Sequence, residues 1–336
     1  MKYEGQQRSS NIENRLGQSS GYSSNSGISL NDIFGGGTSA SSSVPSSRGG
    51  LFSGGIGTII IMVILSLLFG GGSSGSSFGS GTNADTTSTG GGIGDILNGF
   101  LVDDEEAVDT ESDEYQDRVE SISVVLKHLE DFWTEQGSKE GFNYRNPILV
   151  LYSGSTMTPG GMATKDMGPF YSPSDEKIYL DLSFADELSQ QYGVKGDYAM
   201  AYVLAHEFGH HIQTILGISD QMAQAQQSVG RTEYNKLSVR MELQADYYAG
   251  MFTKYLSSQT YEGQSILDAN DFQDAIQTAQ AIGDDQLMQQ ATGYVNPDNF
   301  THGTSEQRMA WLEAGYNYGD LAHGNTFNSS NLDNPN

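Results

Sequence analysis

The sequence predicts an α+β fold that is mostly helical, with a small β-sheet over one central helix. Apolar residues recur at helical spacing in several long stretches, which is typical of amphipathic helices packed on a core. Only two short stretches, residues 147–152 and 177–184, have the pattern of strands. Glycine and serine concentrate in the first hundred residues, so the folded domain is predicted at residues 114–322.

The composition of the 336-residue chain narrows the possible functions. Its net charge of −26 argues against nucleic-acid binding, because affinity for phosphate needs a basic surface. The chain has no cysteine, which excludes disulfides and thiolate metal sites.

Before the domain, the sequence predicts two segments without regular secondary structure and one helix between them. Residues 1–50 are rich in serine, glycine and asparagine and are predicted to be disordered. Residues 51–70 are uncharged and largely apolar, which favours a transmembrane helix over a cleaved signal peptide or a buried core helix. Residues 71–113 are interpreted as a flexible linker that turns acidic at its end.

The charges that flank residues 51–70 predict an orientation. Arg48 precedes this stretch, and the first charged residues after it are acidic. By the positive-inside rule the domain would lie outside the cytoplasm. The sequence therefore predicts a single-pass protein of the cell membrane, with the membrane as a partner through residues 51–70.

Within the predicted domain each helix has its own signal. The first has apolar residues at helical spacing from Tyr115 to Trp133, and the last opens with a capping box of Thr304 and Gln307. The polar residues 323–336 are predicted to be a disordered tail. The helices are expected at residues 114–137, 199–216, 233–256, 271–293 and 304–311.

The central helix contains the pattern HExxH, formed by His206, Glu207 and His210. Residues four apart share one face of a helix, so the two histidines can offer ring nitrogens to one metal ion. Glu207 lies beside that face, where it can act as a general base on water.

A third ligand is predicted downstream. Glu242 and Asp246 are four residues apart on the next long helix. Glu242 would complete a His₂Glu catalytic zinc site, and Asp246 could accept the second ring N–H of a ligand histidine. The alternative is an amphipathic core helix with incidental histidines and a solvated acidic face.

At these residues the chain resembles the neutral zinc metallopeptidase family, a bacterial group of gluzincin type. The similarity extends in the same order over nearly the whole chain, apart from the low-complexity stretches. The segments that carry it are Tyr3–Gly5, Asn11–Arg15, Gly168–Pro173, Lys177–Phe184, Ala205–Gln213, Met241–Gly250 and His302–Arg308.

The resemblance implies further roles. A strand before the HExxH helix, here residues 177–184, would bind an extended substrate along its edge, unless it is purely structural. A downstream histidine or arginine would contact the tetrahedral intermediate, which implies a catalytic role for His302 and a supporting one for Arg308. His302 could instead be a turn or cap residue. His211 points away from the metal face and is interpreted as structural or as support for a ligand.

Together these features predict a membrane-anchored zinc metalloendopeptidase with a peptide or protein substrate. Two alternatives remain open at this point. One is a zinc-binding scaffold of the same fold that is catalytically silent, and the other is a zinc amidase that acts on cell-wall peptides. The His₂Glu site would serve peptidase and amidase alike.

Overall fold

The computed structural model describes residues 1–16, 112–194 and 198–335. This part of the chain is mostly helical with small sheets. Its helices are α1 (Asp113–Glu140), α2 (Phe184–Tyr192), α3 (Ala199–Ile215), α4 (Ile218–Ser228), α5 (Arg231–Ser258), α6 (Ala269–Ala281), α7 (Asp284–Thr292) and α8 (Ser305–Tyr318). Its strands are β1 (Ile12–Asn14), β2 (Ile148–Tyr152), β3 (Ser155–Thr158), β4 (Gly161–Thr164), β5 (Phe170–Ser172), β6 (Lys177–Asp181), β7 (Thr260–Tyr261) and β8 (Gln264–Ser265).

The main sheet has the strand order β1-β2-β6-β5. β1, β2 and β6 run parallel, and β5 pairs antiparallel with β6. β6 therefore has a neighbour on both sides, which corrects the substrate-binding edge implied for residues 177–184. The edge strand beside the HExxH helix is β5, since the Tyr171 hydroxyl lies 3.1 Å from His211 Nδ1 of α3.

The two faces of the sheet belong to different cores because side chains alternate along a strand. Leu149 and Leu151 of β2 face the helices and join the large core there. Val150 and Tyr152 point to the opposite face, where Ala163 of the β3–β4 hairpin covers them. The sheet thus forms a layer between this hairpin and the helices that carry the site.

The predicted helix at residues 271–293 is divided into α6 and α7. Gly283 occupies the break, and a Cβ at this position would lie only 2.4 Å from the Ser305 nitrogen. The break places Asp284 at the start of α7, where its carboxylate accepts hydrogen bonds from the main chain at His302. The contact of Asp284 with the segment before α8 thus interrupts the single helix that the local apolar spacing predicts.

Helices α5 and α8 cross at a close contact of glycines. A Cβ at Gly315 would lie 2.0 Å from the Tyr247 carbonyl oxygen, and one at Gly250 would lie 2.1 Å from the Leu312 carbonyl oxygen. Any larger residue must therefore separate the two helices, both of which carry residues of the candidate site.

We expect Gly315→Ala to lower the free energy of unfolding by at least about 2 kcal/mol, in the range of overpacked cores. Thermal denaturation measures this loss, at about 2–4 °C per kcal/mol for a domain of this size. Gly230→Ala is the matched control, because Gly230 has φ −72° and no neighbour within reach of an added Cβ. Equal melting of both variants would contradict the close crossing.

Residues at both ends of the described chain, within segments predicted to be disordered, contact the domain. Within residues 1–16, Ser9 Oγ and Asn11 Nδ2 donate to the buried carboxylate of Glu130, and β1 pairs with β2. After residue 322, Thr326 is fully buried against α5. The polar residues at both ends resemble low-complexity sequence, but they form specific hydrogen bonds with the domain.

Two predictions are corrected here: the structure supports neither the transmembrane helix nor the single-pass membrane localisation that depended on it. In the three described ranges no helix combines the length and the apolar character that crossing a bilayer requires. The buried helix α3 has 17 residues and contains Glu207, whereas a span needs about 20 predominantly apolar residues. The stretch predicted to span, residues 51–70, lies outside the described residues.

Candidate metal centre

Helices α3 and α5 bring the three predicted ligands together. His206 Nε2 lies 3.1 Å from Glu242 Oε2, and His210 Nε2 lies 3.5 Å from the same oxygen. One ligand atom from each residue lies within 4.8 Å of the other two, and all three residues are buried. Gly209 allows helices α3 and α5 to lie this close together. A Cβ at this position would be only 3.1 Å from Ala245 Cα, which is tighter than an ordinary van der Waals contact.

This geometry fits a zinc ion. A tetrahedral site with bonds of about 2.0–2.2 Å has ligand atoms roughly 3.3–3.6 Å apart. The distances from Glu242 Oε2 to the two ring nitrogens, 3.1 and 3.5 Å, are close to those values. Two nitrogens and one carboxylate oxygen form the donor set of catalytic zinc sites that keep one position open.

Glu207 lies beside the ligands on the same buried stretch of α3. Burial raises the pKa of its carboxyl group, and the nearby His210 and His206 oppose that rise. The backbone of Tyr171 on β5 also opposes the rise. A raised pKa suits a group that takes and returns a proton near neutral pH.

Asp246 holds the first histidine. Its Oδ1 is 2.8 Å from His206 Nδ1, so this ring nitrogen donates and Nε2 faces Glu242. Burial alone would lower the pKa of His206, but the carboxylates of Asp246 and Glu242 raise it to about 10. Binding a metal at Nε2 therefore requires the loss of a proton.

Arg308 lies behind this histidine. Its side chain is 3% exposed, and its Nε and Nη2 donate to the two oxygens of Asp246 at 2.9 and 3.0 Å. Nη2 also donates to the Tyr202 hydroxyl, which donates to Asp246 Oδ1. Arg308 thus supports His206 through Asp246.

We expect Asp246→Asn to weaken zinc affinity roughly 10–100-fold, as is typical when a partner of a ligand histidine is changed. The amide keeps the shape of the carboxylate but removes its charge beside His206 and Arg308. Competition with a chelator measures the affinity. Asp181→Asn is the matched control, since Asp181 is also buried but bonds Gly154 and Ser183. Parent-like affinity in Asp246→Asn would contradict the orienting role.

Gln213 holds the second histidine. Its Oε1 lies 2.8 Å from His210 Nδ1, and the residue is fully buried. The two ligand histidines thus have different partners, because a charged carboxylate supports His206 and a neutral amide supports His210. In both cases the Nδ1 contact leaves Nε2 for a metal.

His302 reaches the same centre from the segment before α8. Its Nε2 lies 3.8 Å from Glu242 Oε2, and its Nδ1 lies 3.2 Å from Asp284 Oδ1. The other oxygen of Asp284 accepts from the backbone N–H groups of Thr301, His302 and Gly303. Asp284 therefore fixes both the segment and the ring, with Nε2 facing the metal group.

His211 is directed away from the metal group. Its Nδ1 meets the Tyr171 hydroxyl, and its Nε2 lies 2.7 Å from the Arg145 carbonyl oxygen. Burial lowers the pKa of His211 to about 4, so the ring is neutral at pH 7. It joins α3 to β5.

Sequence reasoning missed four residues of this centre: Tyr171, Tyr202, Gln213 and Asp284. Helical spacing could have found two of them, since Tyr202 precedes His206 by four residues and Gln213 follows His210 by three. Asp284 had no such signal, because its contact with His302 depends on the break between α6 and α7.

Comparison with known proteins agrees with this geometry. The model of a family described as "Putative neutral zinc metallopeptidase" matches residues 1–327. An uncharacterized protein of Escherichia coli (strain K12), YpfJ, is 43% identical over 235 residues, which cover 70% of this chain and 80% of that protein. An uncharacterized protein of Mycobacterium bovis, Mb2605, is 40% identical over 195 residues, or 56% of this chain and 65% of that protein. No solved structure matches the chain.

Proposed function

The chain belongs to the neutral zinc metallopeptidase family, and from this premise we propose that it is a zinc metalloendopeptidase acting on a peptide or protein substrate. The observation that carries the proposal is the position of Glu207. A buried carboxylate with a raised pKa lies beside two histidines and a glutamate that converge on one point. A purely structural metal site has no use for a base in that place.

His206, His210 and Glu242 would hold the zinc ion. When bound, zinc lowers the pKa of a coordinated water and polarises the scissile carbonyl group. Asp246 and Gln213 keep the two rings oriented for this task through their Nδ1 atoms.

Glu207 would accept the proton of the attacking water and later give it to the leaving amine. Its buried position on α3, next to His206, keeps the carboxylate beside the ligands for both steps.

His302 would stabilise the negative charge that develops on the carbonyl oxygen. Its Nε2 faces the metal group while Asp284 holds Nδ1, so Nε2 is the atom available to meet a substrate. Asp284 acts through His302 and is a positioning residue.

The outer edge of β5 would bind the substrate. Among the described residues only β6 pairs with β5, so one edge of Phe170–Ser172 faces away from the sheet beside α3. An extended peptide can add to such an edge through main-chain hydrogen bonds, which makes few demands on its sequence.

Digestion of a peptide library and of cell-wall peptides, with and without a chelator, tests the function. We expect chelator-sensitive cleavage of ordinary internal peptide bonds. Cleavage restricted to cell-wall amide bonds would identify an amidase instead. Zinc binding without any cleavage would identify a scaffold.

A further inference from the structure

The C-terminal segment, residues 320–335, is connected to the metal group by side-chain amides. Gln213 and Gln244, which we call the amide relay, lie between His210 and the carbonyl group of Gly324. Gln213 is fully buried, and Gln244 is 4% exposed. The relay is therefore shielded from water, so each amide depends on its protein partners.

Backbone carbonyl groups determine which way each amide faces. The Gly324 oxygen can only accept, so the Gln244 NH₂ group must face it, at 2.8 Å. Gln244 Oε1 is then left to face Gln213, whose Nε2 donates to it at 3.1 Å. The second hydrogen of that Nε2 is donated to the Met241 carbonyl oxygen at 2.7 Å.

These contacts use both N–H bonds of the Gln213 amide. Its oxygen, Oε1, remains as the acceptor and faces the metal ligand His210. Both hydrogens of its amide are used, so Oε1 must accept from His210 Nδ1 at 2.8 Å. A ring that donates through Nδ1 carries its lone pair on Nε2 when neutral. Reversing either amide would bring two oxygens together at Gly324 or at Met241.

We propose that the C-terminal segment, through the amide relay, fixes the tautomer of His210 and so forms part of the metal centre. The inference rests on the proposed function only in taking His210 as a zinc ligand. The segment is held firmly enough for this role. Arg240 Nη1 donates to the carbonyl oxygens of Thr326 and Ser329, and Tyr247 donates to that of Asp320.

Two substitutions of the relay test the proposal in the full chain. We expect Gln213→Met to weaken zinc affinity roughly 10–100-fold, as changes to partners of ligand histidines do. Gln244→Met, one layer further out, should weaken it by about 3–10-fold, in keeping with one lost neutral hydrogen bond. Gln136→Met is the matched control, because Gln136 is a buried glutamine of α1, away from the metal group.

A second measurement does not need zinc. Ring ¹⁵N shifts of metal-free protein, measured where the His210 ring is neutral, report the tautomer of His210. We expect the Nδ1–H form in the parent and in Gln136→Met. In Gln244→Met, where only the Met241 carbonyl still orients Gln213, we expect a detectable population of the other form. If Gln244→Met does not fold, Gly324→Ala replaces it, since a Cβ there would lie 2.7 Å from the Tyr247 ring and shift the segment.

The outcomes separate this inference from the proposed function. Parent protein that binds no zinc would contradict the proposed function, while the tautomer measurement would still test the relay. Parent that binds zinc, together with control-like affinity and an unchanged tautomer in Gln244→Met or Gly324→Ala, would overturn the relay.

Discussion

Glu207→Gln is expected to lose about 10²–10⁴-fold in the rate of peptide hydrolysis while it binds zinc like the parent. The amide has nearly the shape of the carboxylate, but it cannot accept the proton of water at neutral pH. It leaves the three ligands His206, His210 and Glu242 unchanged. The measurement is single-turnover hydrolysis of a peptide together with metal content.

Glu130→Gln is the control for this prediction, since Glu130 is also a buried glutamate on a helix but bonds Ser9 and Asn11. We expect it to retain parent-like hydrolysis per folded molecule. Parent-like turnover in Glu207→Gln would show that Glu207 is not the general base.

Glu242→Gln is expected to lose zinc itself. The change replaces an anionic ligand by a neutral one, so affinity should fall by more than the roughly 100-fold found for groups behind the ligands. Because Glu207 remains in place, excess zinc should restore part of the activity, which it cannot do for Glu207→Gln. Chelator competition and turnover at increasing zinc concentration distinguish the two variants.

Tight zinc binding by Glu242→Gln would mean that the third ligand lies elsewhere. His302 would then be the first residue to test, since its Nε2 lies 3.8 Å from Glu242 Oε2. A parallel measurement on His302→Ala separates the two possibilities, because in our account this variant loses turnover but keeps zinc.

Local sequence patterns could predict the helices but not the details that depend on distant contacts. The capping box of Thr304 and Gln307 is present at the start of α8. In contrast, the single helix predicted at residues 271–293 breaks at Gly283, where Ser305 comes too close for a side chain. The pairing of β1 with β2 was missed for a related reason, because paired residues of the two strands lie 137 positions apart in the sequence, as with Ile12 and Leu149.

The residues of the candidate site could likewise be predicted from local spacing but not from distant contacts. His206, His210 and Glu242 could be found because residues four apart share a helix face, and each of the two helices supplies a rigid pair. Arg308 was given only a general supporting role, because its position along the chain does not reveal where its side chain points. The structure places it against Asp246, where a buried charge needs an opposite charge.

Titration of zinc out of the protein tests the central claim most directly. Zinc content and hydrolysis of one peptide would be measured on the same samples as a chelator is added and zinc is then restored. We expect hydrolysis to fall in proportion to the loss of one zinc ion per chain and to return when that ion is restored. Hydrolysis that persists after the zinc has been removed would contradict a peptidase built on His206, His210 and Glu242.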